Sequence, residues 1–297
     1  METENLDIKS FLEENGYPVR DSGNEWSSKC LYRGGSNWNL SINKKTGFWF
    51  DFVQASGGPF FKLAEIITGN KLQEENFSFS NTDFIDELKL PKKFDISILD
   101  SLVQDYSYWE NRAIDKVIFD EFTVGIFKEG KMAKRHCTVI YGQNKEIVGV
   151  SGRALESWMK PKWKHLFKVS DVCFPLYLNK EIIKESKTVY LVEGISDLYS
   201  MFSCGIRNTL TTFGLNLSKK LLSSIISLNP AKIVICENFD ENNAGQNGAA
   251  KIKNKLLNFF DENVVSIVSP APYNDLNESL TKAGPDFIVE LLREKSI

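Results

Sequence analysis

The chain has 297 residues, 42% of them hydrophobic, with a formal net charge of -3. That length can bury one large core or two to three smaller ones, and the balance excludes a disordered or low-complexity protein. Five widely spaced cysteines, at 30, 137, 173, 204 and 236, form no C-x-x-C pair, which argues against a disulfide framework and against a four-thiolate zinc site.

Taken in chain order, the first sixteen residues carry Glu2, Glu4, Asp7, Glu13 and Glu14, the reverse of a basic, then apolar, secretion signal. No apolar run approaches the roughly 20 residues needed to cross a bilayer, so no membrane partner and a cytoplasmic location are expected. Residues 26–58 read as short strands with turn punctuation: Asn39–Ile42, a Lys44–Gly47 turn, Phe48–Phe52, then Ser56-Gly-Gly58. A helix is expected from Pro59 to Thr68, closed by Gly69. Asn70–Lys93 shows no sustained period and reads as a linker. One helix, Ile96–Glu110, and strands at Cys137–Tyr141 and Glu146–Val150 then suggest a mixed α+β domain. Between 111 and 170, twelve Lys and Arg stand against six Asp and Glu, so a basic stretch sits inside an otherwise acidic chain.

From 188 onward strands and helices alternate. Strand-like segments at Thr188–Val192, Asn208–Phe213, Lys232–Cys236 and Val264–Val268 are separated by helix-like segments at Ile195–Ser203, Leu217–Ser227 and Ala244–Phe260. That is the pattern of β-α-β units around a mostly parallel sheet, whose ligand sites lie beyond the carboxyl ends of the strands. Two acidic groups fall there. Glu193 follows the first of these strands, with Gly194 allowing a sharp turn and Asp197 one helical turn on. Asp240-Glu-Asn-Asn-Ala-Gly245 follows the third, Gly245 permitting tight helix packing. Hard oxygen ligands of this kind suit Mg²⁺ or Mn²⁺. The plainer alternative is that these residues are helix N-caps and solvated loop positions.

Val192-Glu-Gly-Ile-Ser-Asp197 resembles the glutamate motif of the Toprim domain shared by primases, topoisomerases and some nucleases. Asp240-Glu-Asn-Asn-Ala-Gly245 is similar to its D-x-D motif, with Asn242 in place of the second aspartate; an alternative register uses Asn238 and Asp240. Tyr108–Ile114, Phe122–Gly125, Arg135–Tyr141, Ile147–Arg153, Pro161-Lys162 and Leu176-Tyr177 resemble, in order, the polymerase core of DnaG-type primases of bacteria and phages. The resemblance implies template-directed synthesis of short RNA primers on single-stranded DNA from nucleoside triphosphates. It implies Glu193 and Asp240 as catalytic residues and Glu193, Asp240, Asn242, Asp197 and Asp275 as the Mg²⁺ or Mn²⁺ site. Glu193 is left open between base and ligand. Arg112, Arg153 and Lys162 are implied to bind template or triphosphate. A replicative helicase and a single-strand-binding protein are the partners it implies.

Cys30–Arg33, Phe50–Gln54 and Ser56–Gly58 resemble the primase zinc ribbon in frame, but Arg33, Asp51 and Gln54 stand where metal ligands would be required. No zinc is therefore expected, and Trp38, Phe48, Trp49 and Phe52 are expected to carry the packing instead. The organisation this gives is α/β: a degenerate ribbon-like template-binding β-module at 1–70, a linker at 71–94, a basic mixed α+β subdomain at 95–186, and a Toprim domain with a Rossmann-like parallel sheet at 187–297. The other readings are a Toprim nucleic-acid-binding protein with impaired catalysis and a Toprim nuclease.

Overall fold

The computed structural model describes residues 7–54, 56–70, 93–240 and 242–294. All but the ends of the expected linker therefore lies outside the described residues. The chain divides into two compact units, one of residues 1–89, 223–229 and 254–265, the other of the remainder. Among the described residues no helix is long and apolar enough to cross a membrane.

The first unit is a five-stranded antiparallel meander, β1 (Val19–Asp21), β2 (Glu25–Ser28), β3 (Leu40–Asn43), β4 (Trp49–Asp51) and β5 (Ser56–Gly58), with neighbours in sequence order. The β3–β4 turn is set by Asn43, whose side chain accepts hydrogen bonds from the backbone of Lys45 and Thr46, and by Gly47 at φ +65°. Ser56-Gly-Gly58, which reads as turn punctuation, is instead the edge strand. A Cβ on Gly57 would lie 2.4 Å from the Trp49 carbonyl oxygen, so glycine is what lets β5 pair closely with β4. Helix α1 (Ile8–Glu14), capped by the Asp7 carboxylate, and α2 (Phe60–Thr68), ended by Gly69, cover this sheet.

Their apolar faces build the core: Ile8, Phe11, Leu12, Tyr17, Leu40, Ile42, Trp49, Phe60 and Leu63. Of the four aromatics expected to replace a metal, only Trp49 belongs to that core. Trp38 is buried elsewhere, under the Arg20 guanidinium 3.8 Å from its ring, with its indole N–H donating to Asp261 at 2.9 Å. Phe52 is half-buried against Phe50 and Phe259. Phe11 and Phe60 of the two helices, Tyr17 and the aliphatic residues share with Trp49 the packing expected of those four rings.

The second unit holds two sheets. One is antiparallel, in the order β10-β9-β8-β7-β6: β6 (Leu102–Val103), β7 (Val124–Phe127), β8 (Arg135–Tyr141), β9 (Ile147–Ala154) and β10 (Trp163–His165). The single helix expected over 96–110 is not formed. A 3₁₀ turn at Ile96–Ser101 leads into β6, and only Ser107–Glu110 is helical, as α3. Leu102 and Val103 pair with Phe127 and Ile126, and that ladder overrides a helical apolar spacing. Trp109 of α3 is buried, its indole N–H donating to His136 Nδ1 at 2.8 Å, while Nε2 lies 2.6 Å from the Asp105 carbonyl oxygen. One neutral tautomer satisfies both bonds, and burial keeps that imidazole below its ordinary pKa.

The other sheet is parallel, ordered β12-β11-β13-β14, from β11 (Thr188–Val192), β12 (Thr209–Thr211), β13 (Lys232–Cys236) and β14 (Val265–Val268). Helices α4 (Leu176–Ser186), α5 (Ile195–Ser203), α6 (Lys219–Leu228), α7 (Ala244–Leu256), α8 (Leu276–Ala283) and α9 (Pro285–Glu294) precede, alternate with or follow its strands in sequence, residues 223–228 of α6 and 254–256 of α7 falling in the first unit. β11 and β13 are apolar and largely buried, as strands covered on both faces are. The strand order reverses at β11: the chain moves to one side for β12 and to the other for β13. That places the switch point, where such sheets bind ligands, at the carboxyl end of β11.

Candidate active site

Beyond that strand end lies a cleft of about 810 Å³, lined wholly by residues of the second unit. Its acidic wall comes from three loops. Glu193 leaves β11, Asp240 and Asn242 lie between β13 and α7, and Asp275 precedes α8. Asp197, on the first turn of α5, completes the group and is fully buried. Gly194 is extended, at φ -144°, a conformation open to any residue, so the sharp turn expected of it is not what the chain uses. Gly245 does have a steric role, because a Cβ there would lie 2.2 Å from the Asn238 carbonyl oxygen.

The electrostatics of this wall are unbalanced. Burial first, then the charges of Asp240 and Asp275, raise the Glu193 pKa above its ordinary value. Burial, with Asp275 and Glu193 beside it, pushes Asp197 up to about 8. Asp197 Oδ2 accepts from the Gly194 N–H at 3.3 Å, but its Oδ1 is buried without a partner. Asp240 Oδ2 accepts from Gly245 N–H at 2.9 Å, and Asp275 Oδ1 from Glu278 N–H at 2.6 Å. Asn242 Oδ1 accepts from the Ala244 N–H at 3.1 Å, so both N-cap bonding and cleft lining hold for these loop residues. Among the described residues none of Glu193, Asp197, Asp240 and Asp275 is ion-paired. Among the described residues no three His, Cys, Asp or Glu side chains are grouped closely enough to hold a metal ion, so what this wall offers is concentrated negative charge, outside any ion pair, with one orphaned buried oxygen on Asp197.

The opposite wall is the β9–β10 pair. Arg153 sits across from Trp163 and Ser151 across from His165, so one face of the ladder presents all four to the cleft. The Arg153 guanidinium lies 5.5 Å from the Trp163 ring and 6.0 Å from that of Tyr108. Lys162, just before β10, also lines the cleft. Its pKa is lowered chiefly by the Arg153 charge and then by burial, and burial likewise lowers Arg153. Arg112 does not line the cleft; its guanidinium lies 5.7 Å from the Tyr108 ring, close enough for its charge to act on Arg153 and Lys162. The cleft thus gathers seven of the eight residues singled out by sequence, and the eighth stands behind them.

The cleft is also lined by Asn238, of the alternative register, and by Ser151, Trp163, His165, Phe213 and Asn274, which were not singled out from the sequence. The period of two along β9 and β10 was the available signal. Ser151 Oγ lies 3.0 Å from His165 Nδ1, and burial lowers the His165 pKa.

In the first unit, Cys30, Arg33 and Asp51 also come together, though not as a metal site. Arg33 donates from Nε and Nη2 to the two Asp51 oxygens at 2.6 and 3.0 Å, and the Tyr32 hydroxyl donates to Asp51 at 2.6 Å. Burial opposes ionisation of Asp51, but these bonds and the N–H groups of Gln54 and Val53 outweigh it and hold the carboxyl below its ordinary value. Burial pushes the Cys30 thiol up to about 12. A guanidinium beside a protonated thiol does not fit zinc.

Residues 190–280 match the Toprim-like family model. The chain is 29% identical over 175 residues to a DNA primase of Aquifex aeolicus (strain VF5), covering 57% of this chain and 34% of that protein. It is 20% identical over 297 residues to a DNA primase of Helicobacter pylori (strain J99), covering 78% and 50%. It therefore spans between a third and a half of the length of these relatives. Among solved structures, the zinc-binding and RNA polymerase domains of Aquifex aeolicus primase superpose with a TM-score of 0.55 at 19% identity, covering 97% of this chain and 83% of that one. The DnaG primase catalytic domain bound to single-stranded DNA gives 0.55 at 15% identity, covering 66% and 74%. The parallel sheet is thus that of a Toprim-like domain. The resemblance to DnaG-type primases extends through the fold that carries it.

Proposed function

We propose that the chain is a DNA primase, which makes short RNA primers on single-stranded DNA from nucleoside triphosphates in the cytoplasm, working with a replicative helicase and a single-strand-binding protein. The observation that carries this reading is a single cleft with unpaired carboxylates on one wall and Arg153 and Lys162 on the other. Glu193, Asp240, Asn242, Asp197 and Asp275 would hold Mg²⁺ or Mn²⁺, which when bound supplies positive charge at the reacting phosphate. Arg153 and Lys162 neutralise and orient the phosphates of triphosphate and template, with Arg112 adding charge from behind. Glu193, whose proton affinity is raised, is suited to take up the proton of the attacking 3′-hydroxyl.

Replacement of either Glu193 or Asp240 by alanine should abolish formation of labelled oligoribonucleotides on single-stranded DNA while leaving cooperative thermal unfolding in place. Full synthesis by both variants would overturn the assignment. Asn242 supports a second reading, a protein that binds nucleic acid without synthesis, since it offers a carbonyl oxygen but no charge. The same assay separates the two, and cleavage of DNA without triphosphates would point to a nuclease.

A further inference from the structure

The loop between β9 and β10 joins the basic wall of the cleft to an aromatic side chain with no evident structural duty. Arg153 and Lys162 stand at its base, where the Ala154 N–H donates to the Lys162 carbonyl at 2.8 Å. The loop is fixed by two further backbone bonds, Leu155 N–H to Lys134 O and Met159 N–H to Glu156 O. On it Trp158 is 68% exposed, the most exposed tryptophan of the described chain. An indole held in water on a well-bonded loop loses the free energy its burial would supply. Lys134 Nζ lies 6.0 Å from its ring, and the two share an open hollow of about 640 Å³ with Lys128, Leu155 and one acid, Glu156.

The same loop carries Trp158, Lys160 and Lys162, and Lys162 lines the cleft. Lys160, two residues after Trp158, is close enough to Lys162 for its charge to act there, as do the charges of Arg153 and Arg112. A run of like charges held together by the fold favours a polyanion, and an exposed ring flanked by ammonium groups favours one whose bases are free to stack. A duplex offers no free base face to such a ring.

We propose that Trp158 is a base-stacking platform for single-stranded nucleic acid, extending the cationic track of Arg153, Lys162 and Lys160 out of the cleft to Lys134. This rests on reading the cleft as a polynucleotide site, but not on synthesis taking place there. The test is fluorescence anisotropy of a labelled 12-nucleotide single strand with the full chain, in chelator and without triphosphates. Trp158→Ala should weaken binding about 5- to 150-fold, the range of a single lost stack, while Trp158→Phe stays near wild type. Trp158→Ala should leave the salt dependence unchanged, whereas Lys134→Met should reduce its slope by about 0.7. A duplex of the same length should not distinguish Trp158→Ala from wild type. Equal single-strand binding by Trp158→Ala and wild type would overturn the proposal, including in a chain that makes primers. Weakened binding by Trp158→Ala in a chain that makes none would uphold it and remove only the primase reading.

Discussion

Asp197 shows how much of the site depends on a single buried group. Its carboxyl has one bonded oxygen and one orphan, and its proton affinity is raised by burial and by Asp275 and Glu193. In metal-free protein the sign follows from linkage. The unfolded chain releases this proton near the ordinary carboxylate value of 3.8, and the folded chain retains it up to about 8. The stability this group contributes is fully present at low pH and lost as pH rises to about 8. Asp197→Asn should remove that fall, measured as the thermal midpoint in chelator between pH 5 and pH 9; an unchanged slope would contradict the assignment. Glu193 and Asp240 were legible because they follow strands of an alternating pattern, and Asp197 because it stands one helical turn beyond Glu193. His165 and Trp163 were not, since each faces the cleft only through cross-strand pairing with Ser151 and Arg153.

Among the elements, the β3–β4–β5 meander shows what can stand in the place of a metal. Tyr32 and Arg33, on the turn that precedes it, and Asp51 at the end of β4 form a buried, charge-assisted cluster, with the Asp51 side chain fully buried. Removing one partner of such a pair costs about 3–5 kcal/mol, because the other is left buried and uncompensated. Arg33→Ala or Asp51→Ala should therefore lower the thermal midpoint clearly, whereas chelators should leave wild-type unfolding unchanged. A chelator-sensitive midpoint, or stoichiometric zinc by elemental analysis, would contradict a metal-free module. The departures at positions 33, 51 and 54 were legible as missing ligands, but the ion pair that Arg33 and Asp51 form was not. α1 went unread because seven residues give too little periodic signal, and β5 because two glycines look like a turn. In the parallel-sheet part of the second unit, β11, α5 and β13 begin and end where the apolar pattern places them.

At the scale of the whole chain, the first unit is not a simple N-terminal segment. It takes in residues 223–229 and 254–265, and the ties are specific: Trp38 N–H donates to Phe259 O at 2.9 Å, and the side chains of Asn37 and Asn39 both donate to Asn229 Oδ1 at 2.8 Å. Such pairings across some 200 residues carry no local signal, which is why composition and periodicity do not find them. Charge does carry a whole-chain signal: a net of -3 conceals the basic stretch that supplies Arg153 and Lys162 to the cleft. Opposed acidic and basic walls suit chemistry on phosphates, and the proposed polymerisation of nucleotides on a template has a direct test. The full chain is incubated with single-stranded DNA, the four ribonucleoside triphosphates, one of them labelled, and Mg²⁺ or Mn²⁺. Short labelled products are expected that are destroyed by ribonuclease, require both template and metal, and are lost in Glu193→Ala. No labelled product with either metal, from protein that binds the same DNA, would contradict the proposed polymerisation.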